Sequence, residues 1–303
     1  MRRVAILLLL LSVFLSCKST VFADPRAEEI LKEVRTAIGG EELLQKIQGL
    51  TINGHFRRML AERQMAGDRE ISILLPDKFL IEDAFNPGGL STAMINARGL
   101  NGERAWNSSS GGGGMIIRMG GPGGAQPSPE QMEAMFRRQY SNELTRYLLA
   151  ILATTSTTQT PEFKYVGDSD VDDSPADVVE ISGPDRPAIR VFFDKKTHLP
   201  LLLSYRGPRP RVMTMTRPGG GTVRTDEEIK KAREEAEKKL ASEPQQRPEE
   251  VEFFIRVEGH KKVNGLLLPH KLTFLTENEV SEEFEISKYQ LNPQFKADKF
   301  QKN

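Results

Sequence analysis

The residues best suited to acid–base or metal chemistry near neutral pH are four histidines, His55, His198, His260 and His270. No two stand at metal-ligand spacing, and no His-Glu-x-x-His occurs. His198 and His270 flank two Leu-Pro steps, Leu199-Pro200 and Leu268-Pro269, which leaves two readings: a site shared across strands, or turn and edge polarity. Asp168, Asp170, Asp172 and Asp173 resemble the start of a calcium loop. The sixth position is Asp173 where glycine is needed, and the twelfth is Val179 where a bidentate glutamate is needed, so the stretch reads as a solvated turn. The Gly111–Gly114 run has no following Gly-Lys-Ser/Thr to hold a phosphate and reads as a flexible loop. There is no Gly-x-Ser-x-Gly elbow, and the single cysteine, Cys17, lies near the N-terminus. The sequence designates no catalytic residue, no metal ligand and no cofactor. Function must come from what the fold can hold.

The N-terminus reads as an export signal. Arg2 and Arg3 precede an apolar run, Val4 to Leu15, which is short for a membrane span. Val21 and Ala23 offer a cleavage site before Asp24, making residues 1–23 the signal peptide. The alternative is Leu15-Ser16-Cys17, a lipobox-like end at which Cys17 would be lipidated. Cleaved after Ala23, the chain has no cysteine, so its core alone must hold it without disulfides. The whole chain balances 42 basic against 42 acidic residues. Losing Arg2, Arg3 and Lys18 leaves 39 against 42, which offers no field for nucleic acid.

The elements that remain are mostly strands. Val191-Phe192-Phe193-Asp194 leads through a charged turn into Leu199-Pro200-Leu201-Leu202-Leu203. Phe253 to Val257 leads through Asn264-Gly265 into Leu266 to Leu272, and Asn-Gly between such runs signals a type I′ hairpin. Period-two alternation also marks Ile52/Gly54/Phe56, Ile71/Ile73, Phe79/Ile81 and Val179/Ile181, and strands are expected at Phe163, Ile189–Phe193, Leu201–Tyr205, Leu272–Phe274 and Phe284–Leu291. Asn101-Gly102 is a further turn candidate, with Trp106 on the strand after it. Helices are expected in three places. Asp24 caps one with Pro25 at its first position and an apolar stripe of Ile30, Leu31, Val34, Ala37 and Ile38, ended by Gly39-Gly40. A short one carries Leu43, Leu44 and Ile47, and Ser128 caps a longer one that continues through Leu144, Tyr147, Leu148 and Ile151. Thr225-Asp226-Glu227-Glu228 is a capping box opening a charged helix to about Leu240, so residues 206–250 read as an insertion lengthening one hairpin. Arg206, Arg209, Arg211 and Arg217 make its start basic, either as a solvated loop or for docking an acidic partner.

The order of signal peptide, short helices, antiparallel strands, mid-chain helix, then Phe193-Asp194-x-x-Thr197-x-Leu199-Pro200, Val263-Asn264-Gly265 with Leu268-Pro269, and a last strand ending Tyr289-Gln290-Leu291-Asn292 resembles the periplasmic lipoprotein-carrier (LolA/LolB-like) superfamily, which includes the sensor domain of RseB-type regulators. The resemblance runs best from Phe163 to Phe300 outside the insertion. It implies an α+β fold: a curved antiparallel sheet, an unclosed half-barrel, with helices covering its concave face. It further implies a non-enzymatic, exported protein of the periplasm or cell envelope that carries a hydrophobic ligand, a lipid or lipoprotein acyl chain, between sheet and helices. The alternative is a regulatory or scaffold protein using the same fold for contacts with an envelope partner, with the 206–250 insertion as its docking element. The glycine-rich loop and that insertion depart from the carrier pattern. Residues expected to line the ligand site are Ile73, Phe79, Ile81, Phe253, Ile255, Leu272, Phe274 and Phe284.

Overall fold

A computed structural model describes residues 24–60, 63–86, 93–110, 128–156, 161–183, 186–209 and 249–302. The export signal, the Gly111–Gly114 run and the Thr225–Leu240 segment lie outside the described residues.

Helix α1 (Pro25–Ile38) starts where Asp24 was expected to cap it. One carboxylate oxygen accepts from the Arg26 and Ala27 amides at 3.0 and 3.4 Å. Its buried face is Ala27, Ile30, Leu31, Val34 and Ile38, the 3.6-period stripe of an amphipathic helix. The amides of Gly39 and Gly40 both return to the Arg35 carbonyl and end the helix. A single turn, α2 (Glu41–Gln45), follows.

Five strands then form a meander: β1 (Gly49–Leu60), β2 (Arg63–Leu74), β3 (Lys78–Phe85), β4 (Met94–Asn101) and β5 (Arg104–Ser110). The turn between β4 and β5 is Gly102-Glu103, one residue later than Asn101-Gly102, because Asn101 pairs with Arg104 and the positive φ falls on Gly102. Helix α3 (Pro129–Leu152) opens with a capping box in which Ser128 and Gln131 bond each other's backbone amides. It runs unbroken for 24 residues. The chain then lays down β6 (Glu162–Val171), β7 (Ser174–Gly183), β8 (Arg186–Asp194), β9 (Pro200–Pro208) and β10 (Glu250–Glu258). A separate small hairpin, β11 (Lys261–Val263) with β12 (Leu266–Leu268), precedes β13 (Lys271–Thr276) and β14 (Glu279–Leu291). Asn264 and Gly265 both have positive φ, 48° and 92°, as a type I′ turn requires. Asp172 and Asp173 make the β6–β7 turn with positive φ at both, so the acidic stretch is a turn.

All twelve long strands join one antiparallel sheet in the order β5-β4-β3-β2-β1-β14-β13-β10-β9-β8-β7-β6. The decisive pairing is β14 on β1, which welds the C-terminal half to the N-terminal meander. Since β5 and β6 remain edges, the sheet is an open half-barrel with helices on its concave face, an α+β fold as expected from the resemblance.

Register assigns the faces. Phe79, Ile81, Asp83 and Phe85 on β3 stand beside Ile73, Ile71, Arg69 and Gly67 on β2, and the same row continues through Leu50, Ile52, Gly54 and Phe56 on β1. Because side chains alternate, these positions share the concave face. The apolar ones among them belong, with the buried faces of α1 and α3, to one core of the described residues. On the opposite face the C-terminal segment straps the meander. Lys299 Nζ reaches Glu70 and Glu82 at 2.9 and 2.6 Å, and Trp106 Nε1 donates to the Phe300 carbonyl at 3.1 Å. Trp106 lies flat over Gly99, where a Cβ would sit 2.5 Å from the indole, so only glycine admits the ring there.

Candidate functional site

The concave face divides into a packed part and an open part. In the packed part Ile73, Phe79, Ile81 and Phe284 are at most 1% exposed. The Phe79 ring is 5.9 Å from that of Tyr147 on α3. In the open part α3 stands off β9, β10, β13 and β14 and leaves a cavity of about 280 Å³. Phe253, Ile255, Leu272 and Phe274 line it; Ile255 and Leu272 are also buried members of the core, so of the eight residues expected at the site Phe253 and Phe274 are the two left partly exposed at the cavity. Tyr147 and Ala150 are the helix's contribution, and Phe274 meets Tyr147 edge-on at 6.3 Å. Phe253 stacks on Tyr205 at 5.2 Å and 14°. The volume falls just below the range of small-ligand pockets, roughly 300–1,000 Å³.

The cavity is also charged, which the apolar pattern did not indicate. Arg98, Glu143, Arg146 and Glu282 share its wall. Arg98 holds Glu143 with two hydrogen bonds, 2.8 and 3.2 Å. Beneath them Arg69 forks onto Asp83 and also reaches Glu282, while Arg58 joins both acids, at 2.6 Å to Asp83 and 3.2 Å to Glu282. The Arg69 guanidinium is sandwiched between the Phe56 and Phe284 rings at 4.9 and 5.3 Å. Burial opposes ionisation of Asp83, but the hydrogen bonds and charge of Arg69 prevail and hold its carboxyl at about 2. Glu143 is likewise resisted by burial and brought below its usual range by Arg98. Burial pushes the Tyr140 hydroxyl up to about 12 and that of Tyr147 higher.

A sequence signal for this network existed. Arg69, Asp83, Arg98 and Glu282 each continue a period-two inward row (Arg69-x-Ile71-x-Ile73, Phe79-x-Ile81-x-Asp83, Arg98-x-Leu100, Glu282-x-Phe284-x-Ile286), so alternation alone puts all four inside. The histidines divide. His198 lies 3.5 Å from Glu33 on α1. His270 packs edge-on to Tyr289 and its Nδ1 is 3.1 Å from the Leu268 carbonyl. His198 and His270 thus have separate partners, as turn and edge polarity implies. Among the described residues no group of three His, Cys, Asp or Glu side chains is placed to hold a metal ion.

No protein-family model matches the chain, and no curated protein matches it. Among solved structures the chain is similar to a LolA superfamily protein from Nitrosomonas europaea, at 11% identity over 91% of this chain and 97% of that one, with a TM-score of 0.47. It is similar to a putative outer membrane lipoprotein-sorting protein domain from Vibrio parahaemolyticus, at 10% identity over 91% and 97%, TM-score 0.43. A DUF1329 family protein from Desulfovibrio piger is similar at 10% identity over 92% and 98%, TM-score 0.43.

Proposed function

We propose that the chain is an exported, non-enzymatic carrier of the cell envelope that holds a hydrophobic ligand, a lipid or a lipoprotein acyl chain, between α3 and the C-terminal half of the sheet. The observation that carries this reading is the cavity itself. Phe253, Ile255, Leu272 and Phe274 give it an apolar floor, and α3 closes it with the small Ala150 beside Tyr147. An apolar pocket with a few polar groups at its margin is the usual form of a small-ligand site. Export follows from the N-terminal signal, cleaved after Ala23, with lipidation at Cys17 as the alternative route to the envelope.

The second reading is a regulatory or scaffold protein that uses the sheet for protein contacts. It is favoured by the packed half of the concave face, where Ile73, Phe79 and Ile81 leave no room for cargo. It is also favoured by the 206–250 insertion, which would be the docking element; its ends, Arg206–Pro208 and Glu250, pair within β9 and β10, and residues 210–248 lie outside the described residues.

The deciding experiment is titration of a fluorescent fatty-acid probe into the delipidated protein, wild type, Phe274→Ser and Ile255→Ser, with folding followed in parallel. Saturable micromolar binding by wild type, weakened in a folded Phe274→Ser, supports the carrier. Absence of binding by delipidated wild type refutes it and leaves the scaffold.

A further inference from the structure

The charges around the cavity do not cancel. Arg58, Arg69 and Arg98 interlock with Asp83, Glu143 and Glu282, three cations against three anions, each cation within 4 Å of at least one carboxylate. Arg146 is the fourth cation. It lines the same cavity, one helical turn from Glu143 on α3, and no carboxylate of the described residues pairs with it. Its guanidinium instead lies over the Tyr205 ring at 4.4 Å, and that ring is in turn stacked on Phe253. Contact with a ring face holds the guanidinium in place and leaves N–H donors of its planar fork for another partner.

Glu143 feels the Arg146 charge, which helps to hold its carboxyl below the usual range, but its two hydrogen bonds go to Arg98. Glu282 is committed to Arg69 and Arg58. The cavity wall near β10, β13 and β14 is otherwise Phe253, Phe274 and the hydroxyl residues Thr276 and Ser281. Ser281 already donates to the Phe274 carbonyl. Arg146 therefore faces the open volume as a net positive charge.

This has a consequence for the ligand. An apolar chain filling the cavity strips water from the guanidinium, and a desolvated charge without a counter-ion is costly. A ligand that brings its own anion turns that cost into a charge-assisted, bidentate contact. Resting on the carrier reading above, we propose that Arg146 recognises the anionic head, a carboxylate or a phosphate, of an amphiphile whose apolar chain lies along Phe253, Ile255 and Phe274.

The test compares three ligands of one chain length, dodecanoate, dodecyl phosphate and 1-dodecanol, at pH 8 and below their aggregation concentrations. Wild type should bind both anions roughly ten- to a hundredfold more tightly than the alcohol, the range expected for one charge-assisted contact. Arg146→Gln should bind all three alike while still binding the alcohol, and Arg146→Lys should keep part of the preference. Tighter binding of dodecanoate identifies a fatty-acid-like head, and tighter binding of dodecyl phosphate a phospholipid-like one. If wild type binds the alcohol as tightly as the anions, or Arg146→Gln keeps the preference, the head-group assignment is overturned and the carrier reading stands. If wild type binds none of the three, both fall. If Arg146→Gln does not fold, Arg146→Lys carries the test, and an anion preference in it equal to that of wild type overturns the assignment.

Discussion

Arg69 on β2 and Asp83 on β3 face each other across the sheet as a forked pair, Nε to Oδ1 at 2.6 Å and Nη2 to Oδ2 at 3.0 Å, with 1% and 2% of the two side chains reaching solvent. Charges buried this deeply are tolerated only when each is matched and hydrogen-bonded. Here the match is collective: Arg58 and Glu282 complete it, and the Phe56 and Phe284 rings cover the guanidinium.

Asp83→Asn removes the anion and strands the Arg69 charge. It should cost about 3–5 kcal/mol, whereas the double change Arg69→Met with Asp83→Leu should cost less than the single one. Urea unfolding of the three proteins checks this. A single variant as stable as wild type would mean that water reaches the pair.

Acid should destabilise the fold in two separate windows. Burial, reinforced by the neighbouring His270, holds His260 at about 4 against an ordinary 6.5, and its Nε2 is buried with no hydrogen-bond partner among the described residues. The unfolded chain then takes up a proton that the folded one refuses. Stability is therefore full above pH 6.5 and falls as pH drops to 4, by on the order of 3 kcal/mol. Asp83 has a folded value of about 2 against 3.8, so its contribution is full above pH 4 and is lost toward pH 2, by about 2 kcal/mol. Denaturation midpoints measured from pH 8 to pH 3 should show both declines. His260→Gln should flatten the upper one and leave the lower; a wild-type curve flat between pH 7 and 4.5 contradicts the assignment.

Phe79 and Phe274 stand on the same concave face with different surroundings, one fully packed and one on the cavity wall. Phe79→Ala should cost about 3–5 kcal/mol, as expected for an aromatic removed from a filled core. Phe274→Ala, already beside empty space, should cost on the order of 1–2 kcal/mol. Equal losses in chemical denaturation would indicate that the cavity is filled in solution.

The strands on either side of the 210–248 segment pair directly, Pro208 with Glu250 and Gly207 with Val251, and Arg209 reaches Glu249 at the neck at 2.9 Å. Among the described residues the sheet is continuous across this neck. Replacing 218–248 by a short linker should therefore cost on the order of 1 kcal/mol or less, measured by urea unfolding. Loss of a cooperative transition would show that the segment belongs to the core.

Asp24 does two jobs at the expected mature N-terminus: one carboxylate oxygen caps α1, and the other accepts the Tyr165 amide of the edge strand β6 at 2.8 Å. Intact mass of the exported protein should place the N-terminus at Asp24; a diacylated Cys17 would contradict this. Asp24→Ala should lower the unfolding midpoint, because it leaves both the first turn of α1 and the Tyr165 amide without that acceptor.

Most of the long strands and the Asp24 and Ser128 caps were legible in the sequence, because each depends on local physics: period-two alternation and side-chain capping. The Asn264-Gly265 turn was legible too, from its positive φ, but it closes the small β11–β12 hairpin and does not join Phe253–Val257 to its sheet neighbour, which is β13. The Asn101-Gly102 turn moved by one residue because cross-strand register, which no local pattern fixes, pairs Asn101 with Arg104. The open architecture was reached through a resemblance and not through local pattern, since the pairing of β1 with β14 joins residues more than two hundred positions apart. The tertiary structure alone decided how the concave face is used. Phe79 and Phe274 have the same side chain and the same inward register, yet one meets Tyr147 within a filled core while the other borders open volume. That difference depends on where α3 rests across the sheet, a packing outcome that alternation cannot encode. The same holds for charge. The sequence shows seven ionic residues scattered from Arg58 to Glu282, and only the fold brings them together, pairs six and leaves Arg146 facing the cavity.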